Sequence, residues 1–248
     1  MMNPFIQKSE VKTMMDYDYL RNSLTSEFCL VSLAATLLGC GINVIAERLM
    51  SRDDLKGSPW WMYITSVAFQ ACILPAVVFA GIFSAGGIKE WVNQPVSEAT
   101  GLGIIPHAVF ISYFLKDMPW PLSGQIIAHH VVCVMTTMIS VSGALPKFHN
   151  LYLLGAFILE IGSLYTNLVS LLPHWPALGL ATPMIMALSN FGGILVAGWF
   201  ALNAVEVDTV ARYSFIFVVI PLCAIRQLVT NGERAKQLER FKANKKTA

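Results

Sequence analysis

Stretches of roughly 20 residues that carry almost no charge recur along this chain, and nothing else in it constrains the fold as strongly. The first, residues 28–46, has no acid or base between Glu27 and Glu47, and at about 1.5 Å per residue it spans most of a bilayer core. Further apolar stretches lie at 60–83, 101–115, 122–145, 151–172, 180–205 and 213–229. Hydrocarbon leaves backbone N–H and C=O groups no water to bond, so segments of this length are expected to be helices. With 55% hydrophobic and only 13% charged residues, composition agrees. The expected fold is an all-α, integral membrane bundle of about seven transmembrane helices.

Boundaries follow from punctuation. Residues 1–27 mix Lys8, Lys12 and Arg21 with Glu10, Asp16, Asp18 and Glu27, too polar for the apolar core of a secretory signal. They are read as a polar N-terminal tail, 28–229 as the multi-pass domain, and 230–248 as a basic tail. Trp60 and Trp61 mark an interface, Pro75 should kink the second span, and Pro173 and Pro176 end the fifth. The cysteines Cys29, Cys40, Cys72, Cys133 and Cys223 sit in apolar runs without metal or disulfide spacing, and read as small core residues.

Lysine and arginine set the orientation. With seven spans, the face that includes the C-terminal tail carries eleven of them and the opposite face six, which predicts a cytosolic C-terminus.

Ionisable groups inside such spans are costly and call for a partner or a polar cavity. His129 and His130 fall roughly 10 to 12 Å into the fourth span, and His107 roughly 14 Å into the third. Glu160 and Asn190 stand near the middle of the fifth and sixth. Helical spacing puts Gln125, His129 and Thr136 on one stripe, and Glu160, Ser163 and Asn167 on another. His130 points about 100° away from His129. One of the pair is therefore expected to meet the bound group while the other orients it or bonds a neighbouring helix.

Three segments carry a resemblance. Tyr113-Phe114-Leu115-Lys116-Asp117, then Ile127-Ala128-His129-His130-Val131, then the run from Leu159 and Glu160 through Ser163 to Asn167 resemble the TLC-domain family. That family includes the ceramide synthases and the translocating-chain-associated membrane proteins. The resemblance implies a helical barrel with a central cavity, an internal membrane such as the endoplasmic reticulum, and a role in lipid homeostasis. It extends to His129 and His130. It does not extend to the His-Asp pair that ceramide synthases carry on the following span, where this chain has Ala156 and Phe157. The chain therefore resembles the lipid-homeostasis members more than the ceramide synthases.

On this reading His129, His130 and Glu160 are the catalytic candidates. His107, Asp117, Gln125, Ser163, Asn167 and Asn190 are the candidates to bind a membrane lipid or fatty-acyl ligand. An imidazole there can take a proton from an attacking hydroxyl or amine, or accept an acyl group itself, and Glu160 can polarise it. No cofactor or metal is expected beyond acyl-CoA as co-substrate. Acyl transfer and non-catalytic lipid binding, sensing or trafficking both remain open. A retinal protein is excluded by the lack of a lysine between Arg212 and Arg226. Five histidines with one adjacent pair are too few for the histidine boxes of a di-iron desaturase. No phosphate loop and no basic-aromatic nucleic-acid surface is present in the spans.

Overall fold

The computed structural model describes residues 27–50, 54–55, 58–95, 103–122, 124–141, 147–173, 175–204, 207 and 209–247, without the side chains of 54, 55, 125, 210, 211, 214 and 236–247. Residues 1–26, His174 and the side chains of Gln125 and of most of the basic tail therefore lie outside the described residues.

The described residues are mostly helical, with one hairpin of two-residue strands pairing β1 (Asp54–Leu55) with β2 (Ser58–Pro59). Helix α1 (Glu27–Leu49) has Glu27 in its first turn and Arg48 in its last, charges that complement the helix dipole at both ends. Its leucines at 30, 33, 37 and 38 are exposed, while Phe28, Asn43 and Ala46 face inward. An apolar face of that kind suits hydrocarbon rather than water.

The second span runs through three pieces: α2 (Trp60–Ala68), a π turn (Phe69–Ile73) and α3 (Leu74–Ser84). The expected effect of Pro75 takes the form of that π turn. A proline ring crowds the carbonyl four residues back, here Ala71, and a widened turn relieves the clash. Gly86 and Gly87 stop α3 at φ 86° and 147°, their N–H groups bonding Phe83 and Ile82 in a Schellman cap that side chains with a Cβ rarely allow.

A short α4 (Ile88–Asn93) places the fully buried Trp91 under the bundle. Helix α5 (Ile105–Leu115) begins with Pro106 in its first turn, where a missing N–H costs nothing. At about 1.5 Å per residue its 11 residues cover only about half a bilayer core, and most of them are buried among other helices. Then follow α6 (Gly124–Val141), α7 (His149–Leu171), α8 (Pro176–Asn203) and α9 (Thr209–Thr247). The last runs without a break to Thr247, so residues 230–247 continue the seventh apolar stretch as helix.

Among the described residues, five helical segments are long and apolar enough to cross a membrane: Glu27–Leu49, Trp60–Ser84, His149–Leu171, Pro176–Asn203 and Phe215–Ala235. Ile105–Leu115 and Ile126–Val141 are shorter apolar helices. The chain is thus an all-α integral membrane protein by the length and composition of these helices.

Two contacts fix the frame around the polar centre. Helices α7 and α8 approach closely at Gly192 and Gly193, where an added Cβ would lie 2.8 Å from Ile158 and 2.6 Å from Leu159. On the other side, α1 is pinned to the end of α5. Asn43 donates to Asp117 Oδ1 at 2.8 Å and to the Lys116 carbonyl at 3.0 Å, and Lys116 Nζ meets Asp117 Oδ1 at 2.7 Å. All three residues are buried.

Candidate functional site

Glu160 is buried on α7, and its Oε2 accepts a 2.5 Å hydrogen bond from the side-chain amide of Gln70. Gln70 sits in the π turn, and its own Oε1 accepts from Asn167 at 3.1 Å. Glu160 and Asn167, seven residues apart, share a face of α7, so one glutamine bridges two turns of that helix. Ser163, on the same face, accepts from Arg226 Nη2 of α9 at 3.2 Å, and the same nitrogen also donates to the Leu159 carbonyl. Helices α7, α9 and the π turn thereby converge on one polar layer.

His129 approaches this layer from α6. The Glu160 carboxylate lies within electrostatic reach of His129, Cys133, Tyr113, Tyr152 and Arg226. Cys133, one helical turn after His129, brings its Sγ to 3.7 and 3.8 Å from the two ring nitrogens. Farther along α6, Thr136 meets the Tyr152 hydroxyl at 2.6 Å.

The histidine pair clusters with Phe114. His129 and His130 each meet its ring edge-on, at centroid distances of 5.6 and 5.2 Å. His130 is buried and its charged neighbours are Asp117 and Lys116, not Glu160. Its Nδ1 has no hydrogen-bond partner among the described residues. The three rings form one cluster, the two imidazoles 5.9 Å apart, yet the carboxylate nearest in electrostatic effect is Glu160 for His129 and Asp117 for His130. Burial pulls the Lys116 ammonium below its usual range, and Asp117 opposes that pull.

The other candidates stand apart. His107 lies tilted against His149 at 5.2 Å and its Nε2 meets the His149 carbonyl at 3.2 Å, while the neighbouring Asn150 donates to the Trp91 carbonyl. Asn190 donates to the Cys223 carbonyl at 3.1 Å and to Gln227 at 3.3 Å, joining α8 to α9. Asp117 is held in the pin on α1. The structure therefore gathers His129, Glu160, Ser163 and Asn167 around one layer, and puts His130 beside a second.

Gln70 and Arg226 are the members the sequence reading passed over. A lone amide five residues before a proline was the available signal for Gln70. Arg226 reads in sequence as a snorkelling end residue because polar chain follows it, yet α9 continues and turns the guanidinium inward.

Among the described residues no group of three or more His, Cys, Asp or Glu side chains is placed to hold a metal ion. Comparison with protein-family models, with curated proteins and with solved structures finds no match.

Proposed function

We propose that the chain is a TLC-type, seven-span protein of lipid homeostasis that transfers an acyl group from an acyl-CoA-like donor to a lipid amine or hydroxyl. The observation that supports this reading is a polar layer in which hydrogen bonds hold Gln70, Glu160, Asn167, Ser163 and Arg226, with His129 of α6 within electrostatic reach of Glu160. Buried ionisable groups in membrane helices mark functional sites more often than they serve packing. In the reaction, His129 takes the proton of the attacking amine or hydroxyl as its lone pair bonds the acyl carbon. The carbon–sulfur bond breaks, and the CoA thiolate takes up the proton.

The seven-span count joins the two shorter apolar helices to the five long ones. A cytosolic C-terminus and an endoplasmic reticulum location belong to the same proposal. Protection of a C-terminal tag from protease in sealed, cytosol-out microsomes would overturn the orientation.

A second reading, a non-catalytic lipid-binding or sensing protein, draws support from the continuous Asn167–Gln70–Glu160 chain of hydrogen bonds, which holds the bundle without need of a reaction. The deciding experiment is incubation of the purified chain with labelled oleoyl-CoA and microsomal lipid extract. Transfer of label to any lipid class, lost in His129→Ala, supports acyl transfer; no transfer leaves the second reading.

A further inference from the structure

Helix α9 continues past the end of its apolar stretch. The apolar window closes at Ala235, yet the helix runs on unbroken to Thr247. The continuation is strongly basic. Residues 236–247 hold Lys236, Arg240, Lys242, Lys245 and Lys246 against the single acid Glu239, and from Arg240 onward the sequence has four bases and no acid.

An unbroken helix sets how far these bases stand from the bilayer. If α9 leaves the membrane upright, Arg240 lies about 8 Å beyond Ala235 and Lys246 about 17 Å, at about 1.5 Å per residue. Headgroups occupy about 5 to 8 Å of that height. The four bases therefore begin at the headgroup layer and end about one Debye length above it, roughly 10 Å, and any tilt brings them closer. The helix dipole gives a reason for bases in the last turn, Lys245 and Lys246, but not for Arg240 and Lys242, which precede it.

We infer that residues 236–247 form an electrostatic docking surface for the anionic phospholipid headgroups of the leaflet that α9 leaves. Opposite charge supplies the attraction, and a cluster of four or more bases beside a membrane span is enough to draw a segment to such a surface. Attachment to the span supplies the proximity, since a tethered segment meets the bilayer at a high effective concentration. The cytosolic C-terminus proposed above would set this segment against the leaflet richest in anionic lipid. The inference itself requires neither that orientation nor acyl transfer.

The test places the purified full chain in nanodiscs of phosphatidylcholine alone and of phosphatidylcholine with an equal share of phosphatidylserine. Deuterium exchange of the amides of 236–247 is followed by mass spectrometry. Exchange is expected to be at least about tenfold slower with phosphatidylserine, because four bases near an anionic surface together contribute more than a decade of binding. In about 1 M sodium chloride, where the Debye length falls to about 3 Å, the two lipid mixtures should give the same rate. The variant Arg240→Gln/Lys242→Gln/Lys245→Gln/Lys246→Gln should likewise exchange equally in both, and since the lipids are compared within one variant, any change in the helix's own stability cancels. Equal exchange of the unaltered chain in the two mixtures overturns the inference. So does a slowing by phosphatidylserine that survives both the salt and the fourfold substitution, which would assign the effect to another part of the chain.

Discussion

Gln70, carried on a π turn in the second span, donates its side-chain amide to Glu160 on α7 at 2.5 Å. The relationship joins an irregularity in one helix to the buried acid of another. An ordinary α-helical turn advances about 100° per residue, and a π turn advances less, so the insertion resets which residues face inward. Here it turns Gln70 and Phe69 toward the core while Ala71, Cys72 and Ile73 stay exposed.

Gln70→Leu removes both hydrogen bonds and strands Glu160 Oε2 and the Asn167 amide. The expected loss is about 1 to 3 kcal/mol of stability, read as a lower melting temperature in detergent. Gln70→Glu would place two carboxylates in contact and should cost at least as much at neutral pH. A Gln70→Leu protein as stable as the parent would show that the 2.5 Å contact contributes little.

Much of this arrangement was legible beforehand. Apolar length located the five long spans, and helical spacing put Glu160, Ser163 and Asn167 on one face. The different charged neighbours of His129 and His130 accord with the turn angle between adjacent residues. What spacing within a helix cannot give is which helix lies opposite. His107 and Asn190 sit at mid-span in the sequence, yet their partners are His149 and the α9 residues Cys223 and Gln227. The pairing of Gln70 with Glu160 also depends on a π turn; Pro75 announces a distortion of the span, but not that it takes this form or which residues it turns inward.

The histidine pair should separate chemistry from packing. His129→Ala is expected to lower acyl transfer by at least about a hundredfold while the protein still purifies folded, as loss of a proton-transfer group does. His130→Ala is expected to act through stability, because it empties a buried site against Phe114, at a cost of about 2 kcal/mol or more. Measuring turnover and melting temperature on both variants tests the assignment. The reverse pattern would exchange the two roles.

Two glycines of α8 offer a packing test. At Gly193 a Cβ would meet Leu159 Cδ2 at 2.6 Å and Cγ at 3.0 Å, whereas at Gly198 it would meet nothing within 4 Å. Gly193→Ala is expected to destabilise by about 1 to 3 kcal/mol, since Leu159 must shift, and its carbonyl is also the one Arg226 bonds. Gly198→Ala should be neutral, or stabilising by about 0.5 to 1 kcal/mol through helix propensity. Thermal melts of the two variants in one detergent decide the matter, and equal shifts would contradict the close α7–α8 contact.

The resemblance makes Asp117 a ligand-binding candidate, while the structure puts it in a buried pin with Lys116 and Asn43, and substitution distinguishes the two roles. Lys116→Met leaves the Asp117 carboxylate buried with only Asn43 to satisfy it, a change that typically costs about 3 to 5 kcal/mol. Asp117→Leu strands the ammonium in the same way. Replacing both at once removes the desolvation of both charges, and the Asn43 bond to the Lys116 backbone carbonyl at 3.0 Å persists. If the pair serves only to hold α1 against α5, Lys116→Met/Asp117→Leu should recover most of the stability that either single change loses, and should retain the parent's transfer of label from oleoyl-CoA. A double variant that regains its melting temperature but loses that transfer would instead make Asp117 part of the site, reached through His130.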